Sequence, residues 1–98
     1  MKLQFLPEAK SELIETVEYY ENLEVGLGIR FKEEVLNVLE WIRENSDKPR
    51  LRKNEYRRVN LKVFPYHVIY VIRGQALFVV AIPHSRRKPE FWKIRKTS

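Results

Sequence analysis

The chain has 98 residues, no cysteine and a formal net charge of +6, which predicts one domain over residues 1–98 and excludes disulfides and thiolate sites. No apolar stretch is long enough for a signal peptide or a membrane span, so we expect a soluble, cytoplasmic protein without membrane association. Residues 1–47 carry five basic and eleven acidic side chains, net −6, whereas residues 48–98 carry fourteen basic and two acidic ones, net +12. Such asymmetry is typical of a domain that keeps one surface basic for a partner.

The first half of the chain predicts one strand and two helices. Residues 2–6 alternate as a short strand does, and residues 8–23 place apolar side chains at helical spacing after Pro7. The glycines of VGLG (25–28) interrupt this pattern, and a second helix follows that ends near residues 45–49. The short break predicts an antiparallel helical hairpin. The core between this hairpin and the sheet is predicted to contain Leu13, Val17, Phe31, Val35 and Leu39.

The second half of the chain predicts three strands at residues 56–61, 66–72 and 76–82, which are rich in β-branched and aromatic residues. The sequence RGQ (73–75) is typical of a tight hairpin, and a short helix or ordered turn is predicted around residues 89–93. The order β-α-α-β-β-β predicts an α+β fold with a helical hairpin packed on a small antiparallel sheet. The edge of the sheet that the first strand joins is left open.

Metal and cofactor binding are not expected. The two histidines, His67 and His84, lie on different predicted strands with no carboxylate close to them in sequence, so metal-ligand spacing is absent. The three glycines, Gly26, Gly28 and Gly74, fit turns rather than a phosphate-binding loop.

The strand predicted at residues 56–61 carries several cations. Arg58 and Lys62 share one face if the strand is regular, whereas Arg57 shares the other face with Val59 unless a strand edge or a bulge turns it outward. His67 lies on the next strand, which is its neighbour in a meander. Guanidinium groups bind phosphate oxygens, and an imidazole beside them could act as acid or base.

The last predicted strand runs into HSRRKPEFW (84–92), which joins cations to aromatic residues. A charge run at a strand end is often only a solvated tail, and the aromatic pair could simply cover one end of the sheet. Together with the −6/+12 division of charge, however, the run indicates a basic surface for a polyanionic or acidic partner. The side chains that could bind or stack there are Tyr66, His84, Arg86, Arg87, Phe91 and Trp92.

The element order, with the segments PEAKSEL, GLGIRF, RRVNLKVFPYHVIY and HSRRKPEFW in sequence, resembles the RelE/ParE superfamily of bacterial toxins over nearly the whole chain. The resemblance implies a growth-inhibiting toxin of a type II toxin–antitoxin system that a cognate antitoxin neutralises. RelE-like members cut mRNA in the ribosome, whereas ParE-like members poison DNA gyrase. Arg58 and Lys62 stand where RelE-like enzymes have basic residues, and Arg86 stands where they have the arginine after the last strand.

Three positions depart from the RelE-like pattern. Asn60 replaces a lysine, His67 replaces an arginine, and Trp92 occupies the place of a functional tyrosine, although an indole N–H cannot serve as a general acid. Since some relatives use histidine, His67 or His84 could still supply a base. The long helical hairpin and the PHSRRKPEFW ending nevertheless look closer to ParE-like members.

The resemblance therefore favours a ParE-like toxin that inhibits DNA gyrase and is not an enzyme, over a RelE-like ribosome-dependent endoribonuclease. A non-toxic basic binding module is a third alternative, but it would need a recognition helix, and both predicted helices are acid-rich. If the chain is a ribonuclease, its catalytic candidates are Arg58, Lys62, His67, His84 and Arg86. The residues predicted to bind target or antitoxin are Arg57, Arg58, Lys62, Tyr66, His84, Arg86, Arg87, Phe91 and Trp92.

Overall fold

A computed structural model describes residues 1–88 and 91–97, except for the side chain of Asn54. The elements in chain order are β1 (Lys2–Phe5), α1 (Pro7–Leu23), α2 (Leu27–Glu44), β2 (Tyr56–Asn60), β3 (His67–Arg73) and β4 (Ala76–Ala81), with 3₁₀ turns at Lys53–Glu55 and Phe91–Ile94. The helices and strands lie within one residue or two of the predicted ones. The turn predicted around residues 89–93 is found at Phe91–Ile94, while Pro89 and Glu90 lie outside the described residues.

The four strands form one sheet in the order β1-β4-β3-β2. The last three strands are an antiparallel meander, as predicted. β1 joins the free edge of β4 in parallel, with Lys2 opposite Ala76 and Phe5 opposite Val79. The α+β class is confirmed. The sequence left the position of β1 open, and because β1 pairs in parallel the sheet is mixed rather than purely antiparallel. β2 is left as the other edge strand.

The two helices approach closely where the hairpin turns. Gly26 is the N-cap of α2 with φ 89° and has no side chain to cap the helix. Glu21 of α1 replaces that cap, because its carboxylate accepts hydrogen bonds from the Gly26 and Gly28 N–H groups at 2.8 and 3.0 Å. A Cβ atom on Gly28 would lie 2.3 Å from the Val17 carbonyl oxygen. The hairpin therefore depends on a glycine at position 28.

The main core lies between the hairpin and one face of the sheet. Phe31, Val35 and Leu39 are buried there as predicted, whereas Leu13 and Val17 are half-buried at its margin. At the end of the core the Tyr70 hydroxyl donates a hydrogen bond to the Ser46 carbonyl oxygen at 2.6 Å. Burial raises the pKa of Tyr70 to about 12, because a phenolate would lose its hydration there.

The second face of the sheet is also partly covered. Trp92, from the turn at Phe91–Ile94, packs with Leu6, Ile69, Val71 and Val80 in a smaller apolar cluster. The C-terminal segment thus covers part of a face that would otherwise be open to water. Within the described residues, neither helix has the length and apolar character needed to cross a membrane.

Candidate functional site

The regular register of β2 decides where its two arginines lie. Residues 56–60 pair one-to-one with residues 71–67 of β3, so no bulge turns Arg57 outward. Arg57 therefore stays on the helix side of the sheet with Val59. Its positive charge acts on Tyr70, where it opposes the larger effect of burial on the pKa of that hydroxyl. Arg58 lies on the opposite face.

Three cationic or titratable residues meet on the face that carries Arg58. Asn60 is directly opposite His67 on β3, so Arg58 and His67 are diagonal neighbours. Arg52 reaches the same place because its N–H donates a hydrogen bond to the Tyr56 carbonyl oxygen at 2.9 Å. We call Arg52, Arg58 and His67 the basic cluster. Arg52 was missed in the sequence, because it precedes the strand and shows no periodicity with it.

The surroundings of His67 disfavour its protonated form. Its pKa is lowered first by burial and then by the charges of Arg58, Arg52 and His84. The buried Nδ1 atom has no hydrogen-bond partner among the described residues. A bare lone pair costs less there than an unpaired N–H, so we expect the single ring proton on Nε2. The pKa of Arg52 is also lowered, by burial and then by Arg58 and Arg50.

His84 belongs to a different group on the helix side. Its ring meets the Tyr66 ring edge-on at 5.1 Å, and its Nδ1 atom accepts a hydrogen bond from the Arg86 N–H at 3.0 Å. Together with Tyr20 and Glu15, these rings line a small open pocket. The pKa of Tyr20 is raised to about 12 by burial and by its hydrogen bond with Tyr66. The backbone contact fixes the imidazole, which leaves Nε2 as its second hydrogen-bonding atom.

Lys62 lies in the loop after β2, which α2 holds in place. The Glu34 carboxylate accepts hydrogen bonds from the N–H groups of Lys62, Val63 and Phe64 at 2.7, 3.1 and 3.3 Å. The Lys62 side chain itself is exposed. Beside this loop, between α2 and the edge strand β2, runs a groove of about 410 Å³ lined by Glu34, Asn37, Val38, Trp41, Val59, Asn60 and Lys62.

The C-terminal cations and aromatic residues are largely engaged with one another. The Arg87 guanidinium lies 3.6 Å from the centroid of the Phe91 ring, and the Arg95 guanidinium lies 5.0 Å from it. Glu12 of α1 binds Arg95 through two hydrogen bonds of 2.7 and 3.2 Å, accepts one from the Ile82 N–H at 3.0 Å, and lies 3.9 Å from Arg87. Glu12 therefore ties the C-terminal segment to α1 and to the end of β4.

Trp92 is the predicted site residue with the least accessible side chain. It is 7% exposed and meets the Tyr56 ring edge-on at 5.3 Å. In this arrangement the indole holds the C-terminal segment on the sheet, and its role as an aromatic anchor for a target stays a prediction that requires the segment to lift away.

The structure thus divides the predicted site residues into groups. Arg58 and His67 join Arg52; Tyr66, His84 and Arg86 form a second group; Arg87, Phe91 and Trp92 form a third with Glu12 and Arg95; Arg57 and Lys62 lie apart. Glu12 and Arg95 were missed, although a carboxylate three residues after the buried Ala9 could have indicated an interior ion pair. Among the described residues, no three His, Cys, Asp or Glu side chains come together as a metal site would require.

Comparisons with known proteins agree with this architecture. Residues 3–89 match the family model described as ParE toxin of type II toxin–antitoxin system, parDE. A chain from the chromosomal ParDE toxin–antitoxin system of P. aeruginosa has a similar structure, with a TM-score of 0.75 and 15% identity over 86% of this chain and 95% of that chain. At this identity the likeness establishes the fold alone. No curated protein matches the chain.

Proposed function

The chain belongs to the ParE family of toxins of type II toxin–antitoxin systems, and from this membership we propose that it inhibits DNA gyrase in the bacterial cytoplasm until a cognate antitoxin neutralises it. The observation that carries the proposal is the family match over residues 3–89, which includes both helices and all four strands except Lys2 of β1.

The gyrase-binding surface that we propose consists of four predicted site residues whose side chains are at least partly accessible. Arg86 and Lys62 are exposed, and Arg58 and His84 are half-buried. Long cationic side chains at the rim of an interface mainly steer association, whereas half-buried ones contribute to the lifetime of the complex. We therefore expect Arg58 to matter for affinity and Arg86 for the rate of binding.

The antitoxin is proposed to use the groove between α2 and β2. Trp41 on its wall is 43% exposed, and β2 is an edge strand, because no strand of the described residues pairs with its outer side. A partly disordered, acidic segment could add a strand to this edge or place apolar side chains in the groove. Because charge pairs at the rim are screened within about 10 Å at 0.1 M salt, we expect this association to weaken with ionic strength.

A ribosome-dependent ribonuclease is the second candidate, and one observation favours it. Burial and the neighbouring Arg58 lower the pKa of His67, which favours the unprotonated imidazole that a general base beside a phosphate-binding group requires. Against it, Trp92 stands where such an enzyme would need a titratable group, and its side chain is buried. We therefore place gyrase inhibition first.

Two assays on the purified toxin separate these functions. In DNA supercoiling by gyrase, wild type should inhibit, Arg58→Ala and Arg86→Ala should raise the inhibitory concentration several-fold, and His67→Ala should act as wild type. Arg30→Ala, which removes an exposed cation from α2, is the matched control. In a translation reaction, cleavage of ribosome-bound mRNA that falls about 10²–10⁴-fold in His67→Ala would overturn the proposal.

A further inference from the structure

The connection between α2 and β2 carries a cationic pocket that includes none of the predicted site residues. The pocket has a volume of about 360 Å³ and is lined by Arg50, Leu51, Arg52, Lys53 and Tyr56. Arg58 of β2 lies close enough to Arg52 to lower its pKa, as does Arg50. We call Arg50, Arg52, Lys53 and Arg58 the connection cluster.

The backbone of the connection positions this cluster. The Glu55 N–H donates a hydrogen bond to the Arg52 carbonyl oxygen at 3.1 Å, and the Arg52 N–H donates one to Tyr56 at 2.9 Å. These two bonds form a turn in which Glu55 has a φ of 60°, in the left-handed region that residues other than glycine rarely adopt. The turn therefore fixes the backbone of Arg52, from which its side chain extends into the pocket.

The one carboxylate in this stretch is directed to another cation. Glu55 is the only acidic residue between positions 50 and 58, and its carboxylate forms an ion pair of 3.3 Å with Arg73 at the end of β3. Meanwhile the buried Arg52 Nε atom has no hydrogen-bond partner among the described residues. Four cations are thus held near one another, and the acid closest to them in sequence is paired with Arg73.

We propose that the connection cluster binds the phosphate backbone of duplex DNA, through direct contacts made by the toxin chain itself. Guanidinium forks match phosphate oxygens bidentately, and cations spread over a loop and a strand suit a polyanion whose charges repeat along its length. An acidic peptide would need apolar anchors as well, and this pocket offers only Leu51 and Tyr56 beside its cations. The choice of DNA over RNA rests on the proposed gyrase target, since gyrase acts on DNA.

The size of the expected effect follows from counterion release. Each phosphate contact contributes about −0.9 to the slope of log K against log salt concentration, so four contacts predict a slope of about −3.6. Replacing one cation should reduce the steepness of the slope by about 1. At 0.1 M salt the same relation gives a loss of about eightfold in affinity for each contact removed.

The test is fluorescence anisotropy of a labelled 20-base-pair duplex with the full-length toxin alone, between 50 and 200 mM salt. The variants are Arg50→Gln, which changes an exposed residue, Arg58→Gln, and the two combined. The control pair is Arg30→Gln and Lys32→Gln, which removes the same charge from exposed positions of α2. Circular dichroism establishes that each variant is folded.

For each cation removed from the connection cluster, we expect affinity for the duplex to fall about eightfold at 0.1 M salt and the salt dependence to become shallower by about 1. The control pair should change neither quantity. Equal losses in both pairs would mean attraction to net charge alone and would overturn the proposal. So would tighter binding of poly-glutamate or of single-stranded RNA than of the duplex. If wild type inhibits gyrase but does not bind the duplex, only this inference is rejected. If wild type binds the duplex but does not inhibit gyrase, only the proposed target is rejected.

Discussion

Replacement of Gly28 by alanine should destabilise the toxin strongly, although alanine is the better helix former. The new Cβ atom would lie 2.3 Å from the Val17 carbonyl oxygen, 2.9 Å from the Glu21 Cβ atom and 3.0 Å from its Oε1 atom. The first of these neighbours is backbone inside α1 and cannot move aside as a flexible side chain would. The helices must therefore separate, which also draws Glu21 away from the α2 N-terminus that it caps.

The magnitude follows from three opposing terms. Exchange of glycine for alanine in a helix contributes up to about 1 kcal/mol of stabilisation. Overpacking typically costs about 1–3 kcal/mol, and loss of a hydrogen bond to a charged acceptor costs about 1.5–3 kcal/mol. The net effect should be a loss of about 1.5–5 kcal/mol, which is a large part of the roughly 5–15 kcal/mol that stabilises a domain.

Urea unfolding followed by circular dichroism measures this loss. With an m-value of about 1 kcal/mol/M, the midpoint for Gly28→Ala should fall by about 1.5 M or more at unchanged m. Gly26→Ala is the control, because a Cβ atom there has no neighbour within 4 Å and only the positive φ of 89° opposes it; its cost should be about 1–2 kcal/mol. A Gly28→Ala protein as stable as wild type would refute the close approach of the two helices.

Three further predictions concern the core, the C-terminal segment and pH. Phe31→Ala should cost about 3–5 kcal/mol in urea unfolding, because Phe31 is fully buried; a near-neutral result would contradict the position of α2. Glu12→Gln and Arg95→Gln should show a coupling energy of about 0.5–3 kcal/mol in a double-mutant cycle, since both side chains are mostly buried; additive effects would mean that the pair is not formed in solution. The pKa of His67 is lowered in the folded state, so the unfolded chain binds the proton more readily and stability should fall as pH drops below about 6.5. His67→Gln should flatten that fall in thermal unfolding between pH 7.5 and 5, and an unchanged pH profile would contradict the burial of the ring.

Local patterns predicted most of the fold because the elements depend on local periodicity. Phe31, Val35 and Leu39 are spaced four residues apart, so they lie on one face of a helix and predict the buried side of α2 without any tertiary contact. Alternation along residues 56–60 likewise placed Arg58 and Val59 on opposite faces of the sheet. These predictions needed only residues that are a few positions apart.

The features that could not be predicted depend on residues far apart in sequence. The Glu12–Arg95 contact joins residues 83 positions apart, and no local pattern links them. Trp92 is buried against the apolar second face of the sheet. That face is complete only when β1 pairs with β4, far from it in sequence. Arg52 enters the basic cluster through a backbone turn rather than through strand alternation.

The parallel pairing of β1 with β4 also determines the order in which the chain can fold. Lys2 pairs with Ala76 and Phe5 pairs with Val79, so β1 can join the sheet only after β4, which follows it in the chain by about 70 residues, has formed. The helical hairpin and the β2–β3–β4 meander close short loops and can form earlier, because short-range contacts carry a smaller entropic cost. Pulse-labelling hydrogen exchange should therefore show the β1 amides protected after those of β3. A ribosome that has translated only as far as residue 70 carries no β4, so β1 has no partner strand until β4 has been made.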